Sequence, residues 1–147
     1  AGIPSLIDAD VAPVDISGLI NLATYTIFSE RGLEMVSGVS DLEASLKKID
    51  SASPTWPAVT AGEKGSYWLE QGGLQRCPAE MVEAVDTCGA GDVFHGGFAV
   101  AMAEHKSVAE AMHFAGVVAA LKCRTFGGSL GAPERSAVEG YMSGSGG

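Results

Sequence analysis

The sequence predicts an α/β layered fold with a mostly parallel sheet flanked by helices. Short apolar runs rich in β-branched and aromatic residues alternate with segments whose apolar residues recur at helical spacing. Hydrophobic residues make up 46% of the 147 positions and charged residues 18%, which is the composition of a globular domain with a core. Because strands that alternate with helices are typical of parallel sheets, these observations favour layered α/β architecture.

Strands are predicted in the first half of the chain. The runs IPSLIDAD, ATYTIF (23–28) and PTWPAVTAG are short, apolar and rich in residues with high β-propensity. Ser40 and Glu43 have the spacing of a capping box, which predicts that a helix begins there, before the third strand. The sequence GEKG predicts a turn, and SYWLEQ with LQRCP predicts an antiparallel pair.

Helices are predicted in the second half. Small and apolar residues fall on one face of a helix that begins at Ala90: Ala90, Val93, Phe94, Gly97, Phe98, Ala101 and Met102. Ser107 and Glu110 predict a capping box at the start of a second helix. A glycine-rich loop, RTFGGSLGAP, follows, and Pro133 predicts a short helix after it.

Charge and cysteine content exclude several classes of function. The formal net charge of −9 argues against non-specific binding to nucleic acid or to anionic membranes. Three cysteines without a CxxC pair predict neither a disulfide framework nor a structural zinc site, and we expect a reducing, cytoplasmic location. No apolar run reaches the roughly 20 residues that span a bilayer.

The first residue is not Met, so we expect a piece of a longer protein, with a flexible tail at 144–147.

The stretch VDTCGAGDVFHGGF (85–98) places a glycine-rich segment directly before a predicted helix. The first amides of a helix have no intrahelical partner and attract anions, and glycine lets the backbone approach such an anion closely. The segment therefore predicts a phosphate or oxyanion cradle. Asp92, in the first turn, has two interpretations: it stabilises the helix dipole, or it faces the cradle as a base.

The residue pattern of this stretch distinguishes it from other phosphate-binding loops. It is not a P-loop, and the dinucleotide fingerprint fails because Phe94 stands at the third glycine. The pattern D-T-x-G-A-G-D at 86–92 resembles the signature of the ribokinase-like (PfkB-type) carbohydrate kinases. An upstream T-x-G-x-x-G turn also resembles that family, through Thr60, Gly62 and Gly65. Within the family, DTCGAGDVFHGGFAVAMAE and VAALKC are most similar to 6-deoxy-6-sulfofructose kinases.

The resemblance implies a fold, an activity and a set of roles. Residues 1–143 would be the C-terminal nucleotide-binding and catalytic part of a ribokinase-like sugar kinase, without the N-terminal half that holds most sugar contacts. The implied reaction is ATP-dependent phosphorylation of a hydroxyl of a ketose or a sulfosugar. Asp92 would be the catalytic base. The implied anion hole consists of the amides of Gly89, Ala90 and Gly91. The implied ATP contacts are Thr60, Gly62, Gly65 and Gly116.

Metals and partners are also implied by the resemblance. The family uses Mg²⁺ with ATP, and a monovalent cation, K⁺, would lie near Asp86, the Cys88 carbonyl and the 127–131 loop. Gly131 stands where the family often has Ser. The family's N-x-x-E motif is altered to SERGLE, so that Glu30 or Glu34 would supply the acid that organises Mg²⁺. The implied partners are ATP and a small sugar, and the full-length protein would form a homodimer.

Two other functions fit the residues. One is a module that binds nucleotide without turnover, and the other is a non-kinase α/β domain whose glycine loop is only a tight turn. His95 lies one turn after Asp92 and is either a packing residue or a substrate contact.

Overall fold

The computed structural model of the protein describes residues 2–11 and 14–144. Apart from Gly144, the tail predicted at 144–147 lies outside the described residues. The chain divides into two compact units, residues 1–62 with 66–76, and residues 63–65 with 77–147. Within the described ranges, no helix combines the length and the apolar composition that crossing a bilayer requires.

A five-stranded sheet organises the first unit, with its strands in chain order. The strands are β1 (Leu6–Ala9), β2 (Tyr25–Ser29), β3 (Trp56–Thr60), β4 (Ser66–Glu70) and β5 (Gly73–Cys77). The first three are parallel, and β4 is antiparallel to β3. Gln71 and Gly72 have φ values of 51° and 79°, which suit a two-residue hairpin turn between β4 and β5. The predicted strands and the predicted class of sheet are confirmed.

Three helices connect the parallel strands: α1 (Ser17–Ile20), α2 (Glu30–Ser37) and α3 (Leu42–Ala52). Their apolar side chains and those of the strands form one core, made of Ala9, Ile20, Phe28, Leu33, Leu46, Ile49 and Val59. The hydroxyls of Thr26 and Thr55 are buried and hydrogen-bonded to each other at 2.8 Å, so that neither is left unsatisfied.

The predicted capping box of Ser40 and Glu43 is wrong. Asp41 is the N-cap of α3, and its carboxylate accepts a hydrogen bond from the amide of Ala44 at 2.8 Å. Glu43 instead forms an ion pair with Lys47 at 2.7 Å, one helical turn away. Asp and Ser are about equally good N-caps, so adjacent candidates cannot be ranked from type alone.

The second unit is helical. It contains α4 (Ala90–Ala103), α5 (Val108–Cys123) and α6 (Arg135–Met142), and a 3₁₀ turn at Gly128–Gly131. The stripe predicted on α4 is confirmed, because Val93, Phe94, Phe98 and Ala101 are buried. Gly97 lets α4 and α5 approach, since a Cβ there would be 3.2 Å from Ala115 Cα.

The remaining predicted features of this half are also present. Ser107 and Glu110 form the predicted capping box: the Glu110 amide donates to Ser107 Oγ at 3.3 Å, and the Ser107 amide donates to Glu110 Oε2 at 2.9 Å. The predicted helix after Pro133 is α6. In the first half of the chain, the predicted GEKG turn contains a 3₁₀ turn at Gly62–Lys64.

Candidate active site

The signature loop ends at the N-terminus of α4, as the sequence predicts. Gly89 is the N-cap, with a left-handed φ of 76°, and no side chain caps the first amides of the helix. The amide of Ala90 donates to the carbonyl of Thr87 at 3.1 Å, so this member of the predicted anion hole already belongs to a turn. Because no side chain of the described residues caps this helix start, the helix dipole can act on an anion there.

Two physical reasons require glycine at position 89. A φ of 76° is a conformation that side chains other than glycine rarely adopt. A Cβ on Gly89 would also be 2.7 Å from the Ser129 amide nitrogen and 3.1 Å from the Gly128 carbonyl carbon. The glycine-rich loop therefore packs directly against the N-cap of α4, and the sequence pattern alone does not reveal this contact.

Asp92 lies in the first turn of α4 and is exposed. Among residues 2–11 and 14–144, its carboxylate has neither a hydrogen-bond nor an ion-pair partner, so it is available to a ligand or to solvent. The carboxylate thus stands near an uncapped helix start, the arrangement that both interpretations of Asp92 require. The general-base role stays a prediction.

Asp86 holds the two glycine-rich segments together. Its carboxylate accepts hydrogen bonds from the amides of Cys88 at 2.9 Å, Gly127 at 3.0 Å and Gly128 at 3.1 Å. The amides of Gly128, Cys88 and Gly127 and the nearby Lys122 lower the pKa of Asp86 far below its usual value, so it is ionised at neutral pH. Its side chain therefore spans the signature loop and the start of the 128–131 turn.

Lys122 is the residue that sequence reasoning missed. Its side chain has no exposed surface, and its ammonium donates to the backbone carbonyl of Asp86 at 2.7 Å. The same ammonium is 3.3 Å from the Asp86 carboxylate. The only signal in the sequence is one lysine inside the apolar run GVVAALKC, and a buried lysine is rare without a partner.

His95 contacts the backbone of the signature. Its Nδ1 is 2.7 Å from the Gly91 carbonyl, and since a carbonyl only accepts, Nδ1 is the protonated nitrogen. The ring is buried and packs edge-on against Phe94, with centroids 6.1 Å apart. The packing interpretation of His95 is supported by these contacts.

The predicted nucleotide residues have different local environments. In the first unit, Thr60 Oγ1 donates to the Phe28 carbonyl at 3.3 Å, and Gly62 has a φ of 53° with open space around its Cα. In the second unit, Gly65 has a φ of 95°, and a Cβ there would overlap the Cys77 carbonyl. Gly116, on α5, has no atom within 4 Å of a would-be Cβ. The nucleotide contacts of these residues stay predictions.

The altered N-x-x-E segment forms a helix start. Ser29 caps α2 by accepting from the Gly32 amide at 3.0 Å, and its hydroxyl donates to Asp10 at 2.7 Å. This hydrogen bond lowers the pKa of Asp10. Glu30 is exposed in the first turn of α2.

The proposed metal residues do not form a ready-made metal site. In the part of the chain that the structure describes, no three His, Cys, Asp or Glu side chains lie close enough together to hold an ion. Cys88 and the other two cysteines are free thiols. The roles of Asp86, Cys88 and Glu30 in binding a metal therefore stay predictions.

Comparison with known proteins decides the family. The family model described as pfkB family carbohydrate kinase matches residues 1–135. The chain belongs to the pfkB family. Ribokinase from Bacillus subtilis is 39% identical over 98 residues, which are 65% of this chain and 33% of that protein.

Solved structures agree on the fold of this pfkB chain. A candidate ribokinase from Agrobacterium tumefaciens matches with a TM-score of 0.90 and 41% identity, over 96% of this chain and 47% of that one. Arabidopsis thaliana ribokinase complexed with ribose and ATP matches with a TM-score of 0.81 and 27% identity, over 93% and 46% of the two chains. The ribokinase-like fold predicted from the signature is thereby confirmed.

A third structure contains a monovalent cation. Fructokinase from Vibrio cholerae, as a double mutant bound to fructose, ADP and potassium ion, matches with a TM-score of 0.77 and 25% identity, over 85% of this chain and 42% of that one. The pfkB chain described here thus spans between a third and a half of the length of these relatives. These relatives do not support the narrower resemblance to 6-deoxy-6-sulfofructose kinases.

Proposed function

We propose that this chain is the phosphoryl-transfer part of an ATP-dependent carbohydrate kinase that phosphorylates a sugar hydroxyl. The observation that supports it most is the exposed Asp92 in the first turn of α4, where the described residues provide neither a partner for its carboxylate nor a side-chain cap for the helix. Membership of the pfkB family supports the same reaction class.

In the proposed reaction, Asp92 accepts the proton of the attacking sugar hydroxyl. The sugar oxygen forms a bond to the γ-phosphorus of ATP, the bond from that phosphorus to the β,γ-bridging oxygen breaks, and ADP leaves with the electron pair. Charge on the transferring phosphoryl group would be stabilised by the helix start at Gly89, Ala90 and Gly91. Phosphoryl transfer depends mainly on positioning and on charge stabilisation, so few protein groups are needed.

The proposed nucleotide contacts are Thr60, Gly62, Gly65 and Gly116. Mg²⁺ would arrive with ATP, because this ion is usually held by substrate phosphates and only one or two carboxylates. It would neutralise charge on the phosphates. Glu30, exposed in the first turn of α2, is the carboxylate that we propose for this task.

The proposed acceptor is a ketose or an aldopentose, because the matched relatives include ribokinases and a fructokinase. A sulfosugar is the alternative that the sequence suggests. A panel of ribose, fructose and 6-deoxy-6-sulfofructose with the complete protein separates these acceptors, through the ratio of their kcat/KM values.

Substitution of Asp92 tests the proposed chemistry. Asp92→Asn keeps the shape of the side chain and removes the base, so kcat of the complete protein should fall by on the order of 10²- to 10⁴-fold. Nucleotide affinity measured by calorimetry should change little. Asp50→Asn, at an exposed carboxylate on α3, is the control for loss of one negative charge. Near-normal kcat in Asp92→Asn would refute the assignment.

A nucleotide-binding module without turnover is the second candidate, because the chain spans at most about half of its relatives. Calorimetry with ATP and Mg²⁺, beside a kinase assay of the complete protein, distinguishes the two. Binding without transfer to any acceptor favours the module, and absence of binding favours a non-kinase domain.

Size-exclusion chromatography with light scattering of the complete protein tests the predicted homodimer.

A further inference from the structure

A buried ammonium contacts Asp86, near which the family resemblance implies a monovalent cation. That resemblance places the cation near Asp86, the Cys88 carbonyl and the 127–131 loop. Lys122 is fully buried and donates to the Asp86 carbonyl at 2.7 Å. We propose that Lys122 is the built-in cation of this loop, so that the protein needs no bound K⁺ there.

The atoms around Asp86 do not fit an additional cation. The Asp86 carbonyl already accepts a hydrogen bond from the Lys122 ammonium. Both carboxylate oxygens of Asp86 are also engaged, one with the Cys88 amide and the other with the amides of Gly127 and Gly128. A K⁺ ion on the same carbonyl would stand beside a buried ammonium, and like charges at such a distance repel strongly away from water.

The end of the 127–131 loop also lacks a side-chain ligand. Gly131 has no side chain, whereas the family often has a hydroxyl there. A Cβ on Gly131 would be 3.2 Å from the Thr125 carbonyl, which shows that the backbone is tightly packed at this position. The loop therefore lacks a side-chain oxygen at the position from which the resemblance would supply one.

The charge of Lys122 is suited to its surroundings. The residue is in the last turn of α5, where unpaired carbonyls give the helix end a partial negative charge. The Cys123 carbonyl accepts from the amides of Val85 at 2.7 Å and Asp86 at 3.1 Å, so the same helix end is joined to the start of the signature. One ammonium thus compensates a carboxylate and a helix terminus and fixes Asp86, which in turn fixes the 127–128 amides. Lys122 is a positioning residue in this arrangement.

The role of this loop in phosphoryl transfer rests on the proposed function, but the presence of a built-in cation does not. The first experiment therefore measures the thermal unfolding midpoint of the complete, unmodified protein in KCl, NaCl and choline chloride at equal ionic strength. We expect the same midpoint in the three salts. A midpoint that is specifically higher in K⁺ would overturn the proposal, because it would reveal a separate cation site.

Removal of the ammonium provides the second experiment. Lys122→Ala should lower the midpoint and leave a cavity beside the Asp86 carbonyl, which K⁺ can then enter. KCl should raise the midpoint of this variant above its value in choline chloride by on the order of 5 °C. Lys47→Ala, at an exposed lysine of α3, is the control and should respond to the three salts like the unmodified protein. A folded Lys122→Ala protein that shows no K⁺-specific recovery would contradict the proposal.

Activity separates this inference from the proposed function. If the complete protein phosphorylates a sugar and its kcat is independent of K⁺, both proposals stand. Sugar phosphorylation that requires K⁺ in the unmodified protein would overturn the role of Lys122 alone. A protein without kinase activity whose midpoints follow the expected pattern would overturn the proposed function alone. Should Lys122→Ala fail to fold, the salt series on the unmodified protein decides.

Discussion

Gly89 lies against the backbone of Ser129, so closely that a Cβ on Gly89 would be 2.7 Å from the Ser129 amide nitrogen. The left-handed φ of 76° at the same residue adds a second requirement for glycine. The N-cap of α4 and the glycine-rich loop are thus packed directly against each other.

The first prediction concerns Gly89. Gly89→Ala should lower the free energy of unfolding by about 1–3 kcal/mol, because it adds left-handed strain and a steric overlap with the loop. Gly96→Ala is the control, at an exposed position in the middle of α4 where an added Cβ would meet no described atom outside the local helix backbone within 4 Å. It should be stabilising by about 0.5–1 kcal/mol, since alanine is the better helix former. Chemical denaturation of the complete protein measures both, and equal effects would contradict the packing.

The second prediction concerns the start of α3. Asp41→Ala should lower the free energy of unfolding by about 1 kcal/mol, because it removes the acceptor of the Ala44 amide. Ser40→Ala should change it by less than about 0.5 kcal/mol, as expected for a surface position outside the cap. The comparison decides between the observed cap and the capping box that the sequence suggests. A larger loss at Ser40 would favour the capping box.

Local patterns in the sequence were sufficient for much of this fold. Each predicted strand, the stripe on α4 and the capping box at Ser107 depend on neighbours within a few residues, so the sequence displays them directly. Helix α2 was missed because Leu33 is its only fully buried large apolar residue, and one residue gives no periodicity. At the start of α3, two adjacent residues were both acceptable caps.

The candidate site also contains residues that a local pattern displays and residues that only the fold brings together. The glycines and Asp92 are adjacent in the chain, so a motif displays them together. Lys122 contacts Asp86 from 36 positions away, and this pairing depends on how α5 packs, which no local pattern encodes. The contact between Gly89 and Ser129 could not be predicted either, because these residues are also far apart in the sequence.

The third prediction separates two glycines of the T-x-G-x-x-G turn. Gly65→Ala should be strongly destabilising, by about 2 kcal/mol or more, because a Cβ would overlap the Cys77 carbonyl at a φ of 95°. Gly62→Ala should cost only about 1–2 kcal/mol, since it has a φ of 53° but open space. Thermal denaturation of the two variants of the complete protein checks this order.

This contrast determines how the proposed nucleotide contacts should be tested. A large side chain at Gly65 would disturb the protein even if no nucleotide bound there, so its effect on affinity would be ambiguous. Gly62→Asn is the sharper variant, because asparagine tolerates the left-handed conformation and projects into open space. We expect it to weaken ATP binding in calorimetry while the unfolding midpoint changes little. Unchanged ATP affinity would remove Gly62 from the proposed nucleotide site.

The last prediction concerns acid. The Gly128, Cys88 and Gly127 amides and Lys122 hold the pKa of Asp86 below its value in the unfolded chain. A carboxylate of this kind stabilises the fold fully above the unfolded pKa, which is about 4 for Asp, and loses that contribution as the pH falls from there toward the folded pKa. The unfolding midpoint of the complete protein should therefore decline as the pH falls below about 4. Asp86→Asn should have a lower midpoint at neutral pH and a shallower decline in acid, because the amide does not titrate. Asp50→Asn should keep both the neutral midpoint and the slope of the unmodified protein. If the acid declines of Asp86→Asn and the unmodified protein were parallel, Asp86 would not be the titrating group.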